Sequence, residues 1–274
     1  TLYSKINDFL NISKHILFMT KKLFINRGKE MQFLNKLYNS KSSELFILYG
    51  RRRIGKTQLT LEFLKNKKGV YYMCSEEGDI INIKNLQKEL SKVATNDFNN
   101  LKIDNWYDLF SLFFKFYNSK DKLILIIDEF PYLIKKNQNI PSIFQKLWDN
   151  QLINKNILLI LTGSSVSIME KKVLNIKSPL YGRRTAQWEL APIPFKHIKE
   201  FIPNSTLLDL YKTYFVFGGI PTYLQKLDSK ATFENNLIEQ IFTKGNFLNQ
   251  EGNLLLSYEF SEATNYKLIL NAIS

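Results

Sequence analysis

The chain has 274 residues, a length typical of about two domains. Hydrophobic residues make up 45% of it and charged residues 23%, a composition that excludes a disordered chain and indicates a packed globular protein. Because 38 Lys and Arg residues stand against 25 Asp and Glu residues, the net charge is +13, which suits a phosphate-rich partner and equally a surface that is merely rich in lysine.

The first 23 residues match no motif and are predicted to be an N-terminal extension. Charged residues interrupt their apolar positions, so they lack the pattern of a signal peptide. The longest apolar runs, at 123–127 and 157–161, are far shorter than the roughly 20 residues of a membrane helix. The single cysteine, Cys74, excludes a disulfide framework and a cysteine-based zinc site. We therefore expect a cytoplasmic protein with no membrane partner.

Short β-rich runs alternate with helical patterns in the first two thirds of the chain. This alternation predicts an α/β fold, a parallel sheet with helices on both faces. The predicted strands are 45–49, 70–74, 123–127, 157–161 and 186–190. The predicted helices, whose apolar positions recur every three or four residues, are 56–65, 83–93, 106–117, 142–153 and 166–174.

The strand patterns stop near residue 193, which marks a domain boundary. Only helical patterns follow, at 195–202, 207–217 and 233–242. A polar stretch rich in Gly and Asn at 245–252 then precedes another helical pattern at 254–273.

Residues 50–57 have the sequence GRRRIGKT, which matches the pattern G-x-x-x-x-G-K-[ST] between a predicted strand and a predicted helix. Glycines let backbone N–H groups turn inward around phosphate oxygens, and the start of a helix adds a positive dipole end. We expect Lys56 to reach the β- and γ-phosphates and Thr57 to be a hydroxyl ligand of Mg²⁺. The candidate nucleotide-binding residues are Gly50, Arg51, Arg52, Arg53, Ile54, Gly55, Lys56, Thr57 and Gln58.

The three arginines of this loop occupy its variable positions, where side chains usually point away from the phosphates. They could help to hold the strand that ends in Asp128 and Glu129, face a partner subunit or lie in solvent. No catalytic role is assigned to them.

Two acidic residues end the third predicted strand. Asp128 follows the apolar run 123–127 directly, so it lies at the carboxyl end of its strand, where parallel sheets bind ligands. We expect Asp128 to hold Mg²⁺ through water and Glu129 to orient and activate the attacking water. An adjacent Asp and Glu argue against a GTPase, and the chain has no Asn-Lys-x-Asp motif for guanine.

Hydroxyl residues end the fourth predicted strand. Ser164, or Thr162 as the second choice, could sense the γ-phosphate if this strand lies between the loop and the carboxylates. Serine at this position could equally cap the helix that begins near residue 166.

Together these motifs resemble the archaeal ATPase family of the AAA+ and STAND type, relatives of the origin-recognition ATPases. The loop and the acidic pair correspond to its Walker A and Walker B motifs. The segments that carry the resemblance are FINRGKE at 24–30, GRRRIGKT at 50–57, DEF at 128–130, LTGSS at 161–165, LYGRR at 180–184 and GGIP at 218–221.

The resemblance implies a P-loop NTPase core with a five-stranded parallel sheet at 24–193, a helical lid at 194–248 and the start of a winged-helix domain, cut short, at 249–274. It also implies that Arg27 lies near the adenine, that Arg183 contacts the γ-phosphate of its own chain or of a neighbour in a homo-oligomer, and that Pro221 helps the lid pack on the base. From the residues alone, Arg183 could instead form an exposed basic corner, and residues 218–221 could be a plain turn.

Two functions remain open at this point. The first is an Mg²⁺-dependent ATPase that converts ATP and water to ADP and phosphate, moves its lid and C-terminal module, and works on DNA if the winged helix binds it. The alternative is a STAND-type switch that binds ATP or ADP, turns over slowly and controls oligomerisation or a protein partner.

Overall fold

The structure, a computed structural model, describes residues 24–259 and 263–273. The predicted extension at 1–23 lies outside the described residues. The chain divides into two units, a larger one at 28–192 and a smaller one that groups residues 24–27 with the chain from residue 193 onward. Among the described residues, no helix has the length and apolar character that crossing a membrane requires.

A five-stranded parallel sheet forms the centre of the larger unit, as predicted. Its strands are β1 (Glu44–Tyr49), β2 (Gly69–Met73), β3 (Leu123–Asp128), β4 (Ile157–Gly163) and β5 (Ala186–Glu189). They lie in the order β2-β3-β4-β1-β5. Every residue of β1, β3 and β4 is buried, because helices cover both faces of a parallel sheet. The order places β4 between β1, which leads into the glycine loop, and β3, which ends in Asp128.

Helices connect the strands of this unit. They are α1 (Gly28–Tyr38), α2 (Lys56–Leu64), α3 (Asp79–Leu90), α4 (Trp106–Phe116), α5 (Pro131–Lys136), α6 (Ile140–Leu147) and the short α7 (Val166–Ile168). A 3₁₀ turn occupies Asn96–Asn100. The sequence patterns did not predict α1 or α5.

Two of the predicted helices change character along their length. The helix predicted at 142–153 is α-helical only to Leu147 and continues as a π-helical turn, Trp148–Leu152. The helix predicted at 166–174 is α-helical over three residues and then π-helical over Met169–Leu174. A period of 3.6 residues does not distinguish these two forms over such short lengths.

Aromatic side chains pack together around the segment that follows β3. In α4, Asn105 caps the helix by accepting a hydrogen bond from the backbone N–H of Asp108 at 2.9 Å. The buried face of α4 includes Phe110, which packs against Phe144 of α6 with ring centroids 6.4 Å apart. Phe130, directly after the acidic pair, packs edge-on against Phe144 at 4.9 Å. This packing holds Phe130 in place between the acidic pair, Asp128 and Glu129, and the start of α5.

Gly50 is required where the loop leaves β1. Its φ of 147° lies in a region that side chains rarely adopt, and a Cβ there would lie 2.7 Å from the carbonyl oxygen of Leu190. Leu190 in turn donates its N–H to the carbonyl oxygen of Tyr49 at 2.7 Å. A larger residue at position 50 would therefore separate the loop from the end of β5.

The described part of the smaller unit is helical after residue 192. A 3₁₀ turn at Phe195–Glu200 precedes α8 (Leu207–Phe217), α9 (Pro221–Leu224), α10 (Phe233–Leu237) with a π-helical turn at Ile238–Phe242, α11 (Glu251–Glu259) and α12 (Ala263–Ile273). The pattern at 254–273 thus corresponds to two helices. Its small core consists of Ile198, Ile202, Leu210, Phe217 and Leu224.

The turn before α9 depends on a glycine. A Cβ at Gly219 would lie 2.1 Å from the carbonyl oxygen of Ile193, and the Ile193 N–H donates to the Gly219 carbonyl oxygen at 2.7 Å. Pro221 then occupies the first turn of α9, where a missing N–H is harmless.

Candidate nucleotide site

The loop between β1 and α2 has the backbone of a phosphate-binding turn. Gly55 adopts a left-handed conformation with a φ of 97°, as does Arg53 at 65°. Ile54 between them is buried and anchors the loop. The residue at the N-cap of α2 is Gly55, which has no side chain that could cap the helix start. This arrangement suits an anion at the helix start.

Lys56 is buried and lies in the mouth of this loop. Its ammonium group donates to the carbonyl oxygens of Gly50 at 2.8 Å and Arg51 at 3.1 Å, and to the hydroxyl of Ser164 at 2.9 Å. Two carbonyl oxygens of the loop therefore contact the ammonium group of Lys56, the residue predicted to reach the phosphates.

The remaining loop side chains have different surroundings. Arg51 is exposed, whereas Gln58 is half-buried. The Arg52 guanidinium donates to the phenol oxygen of Tyr132 in α5 at 3.2 Å. This contact joins Arg52 of the loop to the segment that directly follows Asp128 and Glu129. It agrees with the expectation that the loop arginines help to hold the strand that ends in these two residues.

Asp128 is buried at the end of β3, and its carboxylate accepts hydrogen bonds from four groups. On Oδ2 it accepts from the Thr57 hydroxyl at 2.7 Å and from the Tyr71 phenol at 2.7 Å. On Oδ1 it accepts from the Thr162 hydroxyl and from the Glu129 N–H at 3.0 Å. Thr57 and Asp128 are thus brought together, as their predicted roles require.

Tyr71 was not among the predicted site residues. It lies on β2 and is half-buried, and its pKa is raised well above the ordinary value by burial and by the negative charge of Asp128. The phenol is therefore protonated and donates. An apolar strand pattern gives no signal for this role, because the pairing of β2 with β3 is visible only in the sheet order.

Glu129 has a left-handed backbone with a φ of 53°, which residues other than glycine rarely adopt. The next residue holds the chain in this conformation: Phe130 donates its N–H to the carbonyl oxygen of Thr162 at 2.8 Å and buries its ring completely. The Glu129 carboxylate faces the end of β4. There it accepts from the Ser164 N–H at 3.1 Å and from the Ser164 hydroxyl.

The two interpretations of the hydroxyl residues after β4 can now be compared. Ser165, not Ser164, occupies the N-cap position of α7, and its side chain makes no capping hydrogen bond. Thr162 and Ser164 are both buried, and their hydroxyls contact Asp128 and Glu129 respectively. Helix capping therefore does not account for Ser164.

The oxygens around Thr57 and Asp128 fit a magnesium ion. Mg²⁺ is usually held by one or two protein oxygens together with waters and phosphate oxygens. The Thr57 hydroxyl and the Asp128 carboxylate, 2.7 Å apart, supply such a pair. Among the described residues, no group of three or more His, Cys, Asp and Glu side chains could hold a metal alone.

Arg183 pairs with a carboxylate of its own chain. Its guanidinium is bidentate on Asp149: Nη2 donates to Oδ2 at 3.0 Å and Nε donates to Oδ1 at 3.2 Å. Both side chains are about one third exposed, at 35% and 37%. Next to it, the Arg184 guanidinium lies 4.2 Å from the centre of the Tyr181 ring. The phosphate role of Arg183 remains a prediction.

Arg27 and Pro221 belong to the smaller unit, whereas the glycine loop belongs to the larger one. Arg27 is buried and has a left-handed φ of 73°. Their proposed contacts with the nucleotide and the base remain predictions.

Similar proteins agree with this arrangement. Residues 24–227 match the model of a family described as an ATPase domain predominantly from Archaea. Protein MJECL04 of Methanocaldococcus jannaschii is 42% identical over 252 residues, which are 92% of this chain and 54% of that protein, so the chain spans about half of its length.

Two solved structures share the fold. The Walker-type ATPase PABY2304 of Pyrococcus abyssi aligns with a TM-score of 0.58 and 20% identity over 93% of this chain and 77% of that one. The ORC2 protein of Aeropyrum pernix, solved as ADPNP-ADP complexes, aligns with a TM-score of 0.53 and 14% identity over 88% and 71%. With the family match covering most of the chain, the protein belongs to the family of ATPase domains found predominantly in Archaea.

Proposed function

We propose that this chain binds ATP with Mg²⁺ and hydrolyses it to ADP and phosphate at the carboxyl edge of its sheet. The observation that supports this best is the chain of hydrogen bonds from Lys56 through Ser164 to Glu129, beside the pair formed by Thr57 and Asp128. The complexes of the Aeropyrum pernix ORC2 protein, named for ADPNP and ADP, support a nucleotide in this fold.

Binding would begin with the glycine loop. The N–H groups at the start of α2 take the phosphate oxygens, and Lys56 exchanges the carbonyl oxygens of Gly50 and Arg51 for the β- and γ-phosphates. Thr57 and Asp128 would hold the Mg²⁺, directly and through water. When bound, this ion neutralises the negative charge that develops on the transferred phosphoryl group.

Hydrolysis needs a group that orients water in line with the γ-phosphate. Glu129 fits this role, because its left-handed backbone and its contact with Ser164 direct the carboxylate toward the end of β4 next to the loop. Ser164 contacts both Lys56 and Glu129, so its hydroxyl is suited to sense whether a γ-phosphate is present.

Hydrolysis would be coupled to motion of the rest of the chain. We assign 194–248 as a lid and 249–274 as the start of a winged-helix domain, with Arg27 near the adenine and Pro221 supporting the lid. Arg183 is partly exposed, and we propose that it reaches the γ-phosphate of a neighbouring copy in a homo-oligomer. We further propose DNA as a partner of this assembly, with which the net charge of +13 is compatible.

A second candidate function is a slow nucleotide switch. It is favoured by the contact of Ser164 with Glu129, in which the N–H and the hydroxyl of one residue engage both carboxylate oxygens and compete with water for them. Such a site would retain nucleotide for long periods and use its state to control a partner.

The test is a binding and turnover assay with ATP and Mg²⁺, with and without duplex DNA at several salt concentrations. The ATPase predicts multiple turnovers, and a DNA partner predicts stimulation that weakens as salt rises. Tight retention of ADP with less than one turnover and no response to DNA would favour the switch. Absence of any nucleotide binding would contradict both functions.

A further inference from the structure

Tyr71 joins the edge strand β2 to the acidic strand β3 through its side chain. In the register of the two strands Tyr71 lies beside Ile126, and its phenol reaches forward to Asp128 Oδ2 at 2.7 Å. The contact therefore comes from the side of β3 opposite to β4, which provides Thr162.

The hydrogen bonds on Asp128 differ in what nucleotide binding would do to them. Oδ1 is held by Thr162 on the neighbouring strand β4 and by the backbone N–H of Glu129, which directly follows β3. Oδ2 is shared by Tyr71 and Thr57. If the Thr57 hydroxyl turns to Mg²⁺, Tyr71 remains as the donor that fixes Oδ2.

We infer that Tyr71 is a positioning residue for magnesium, whose hydrogen bond keeps Asp128 Oδ2 aimed at the ion that accompanies the nucleotide. This inference rests on the proposed function, since it needs a nucleotide with Mg²⁺ at the site. Partners that orient a metal-binding carboxylate typically contribute about 10- to 100-fold to metal affinity.

The neighbouring residue provides a matched control. Tyr72 lies on the same strand and donates its phenol hydrogen to Asn82 Oδ1 at 2.7 Å, on the other face of the sheet. Asn82 also contacts Ser75 and Gly78, so this second bond stabilises a loop and not the carboxylate. Tyr71→Phe and Tyr72→Phe therefore remove the same atom from the same strand.

The experiment measures the affinity of a non-hydrolysable ATP analogue as a function of Mg²⁺ concentration, and in EDTA, for the wild-type chain and both variants. We expect Tyr71→Phe to raise the Mg²⁺ concentration for half-maximal binding about tenfold, to leave affinity in EDTA unchanged, and to recover at high Mg²⁺. Tyr72→Phe should match the wild type in all three respects. Thermal unfolding of both variants monitors the fold.

Two results overturn the inference in distinguishable ways. If the wild type binds the analogue and Tyr71→Phe has the wild-type Mg²⁺ dependence, Tyr71 does not position Asp128, while the proposed function stands. If the wild type does not bind the analogue with or without Mg²⁺, the proposed function fails and the inference fails with it.

Discussion

The ammonium group of Lys56 donates a 2.9 Å hydrogen bond to the hydroxyl of Ser164, and so joins the start of α2 to the end of β4. The same hydroxyl donates to the Glu129 carboxylate. One small side chain thus contacts both the lysine assigned to phosphate binding and the carboxylate assigned to water activation. Any nucleotide that draws Lys56 toward its phosphates would change the surroundings of Glu129.

Replacing Ser164 should therefore affect catalysis more than binding. We expect Ser164→Ala to lower kcat about 10- to 100-fold, equivalent to one hydrogen bond to a charged group. Affinity for ATP should change little, because Lys56 keeps its place in the loop. Steady-state phosphate release and equilibrium nucleotide binding measure the two effects. The control is Ser165→Ala, since Ser165 makes no capping hydrogen bond. If Ser164→Ala and Ser165→Ala lose the same fraction of kcat, Ser164 has no specific role in catalysis.

Replacing Lys56 should abolish tight nucleotide binding. In Lys56→Ala we expect affinity for ATP to fall about 100-fold, because two charge-assisted hydrogen bonds of about 1.5 kcal/mol each would be lost. Equilibrium binding of a fluorescent ATP analogue measures this. Lys65→Ala is the matched control, because Lys65 follows the same helix and makes an exposed ion pair with Glu62. Wild-type affinity in Lys56→Ala would place the phosphates elsewhere.

A mixing experiment tests whether Arg183 acts across a subunit boundary. Arg183→Ala and Lys56→Ala chains should each be inactive alone. Mixed, they should regain hydrolysis, since the Lys56→Ala chain still offers Arg183 to a neighbour whose own site is intact. Replacing Arg184, which stacks on Tyr181, should not lower ATP hydrolysis, either in the variant alone or in mixtures. If the mixed chains assemble but do not regain ATP hydrolysis, Arg183 does not act on the site of a neighbouring subunit.

The stability of the larger unit should depend on Glu44 in acid. Burial alone would raise the pKa of Glu44, but hydrogen bonds from Thr185, Ser40 and Ser42 outweigh it and hold the pKa below its ordinary 4.5. The ionised form is therefore favoured in the folded state, so its contribution is full above about pH 4.5 and is lost as pH falls through the folded pKa.

Urea unfolding at a series of pH values measures this contribution. The difference in free energy of unfolding between the wild type and Glu44→Gln should be largest near neutral pH and should shrink in acid. Glu170→Gln removes an exposed carboxylate and controls for the change in net charge. If the difference in free energy of unfolding grows as pH falls, the pKa of Glu44 is not lowered in the folded state.

Much of the site could be predicted from sequence because its motifs are local. The loop at 50–57 and the acidic pair at 128–129 each follow an apolar strand, and the structure has both strands as predicted. What could not be predicted depends on contacts between distant segments. Tyr71 reaches Asp128 only because β2 pairs with β3, and the bidentate partner of Arg183 lies in a π-helical turn that a 3.6-residue period does not reveal.

If Glu129 activates water for ATP hydrolysis, its replacement should stop the chemical step and leave ATP bound. Wild-type chain, Glu129→Gln and the control Glu170→Gln, at an exposed position of the same unit, are incubated with labelled ATP and Mg²⁺ and desalted, and the bound nucleotide is identified. We predict ADP on the wild type and on Glu170→Gln, and ATP on Glu129→Gln. ADP formed on Glu129→Gln at the wild-type rate would show that Glu129 does not activate the attacking water.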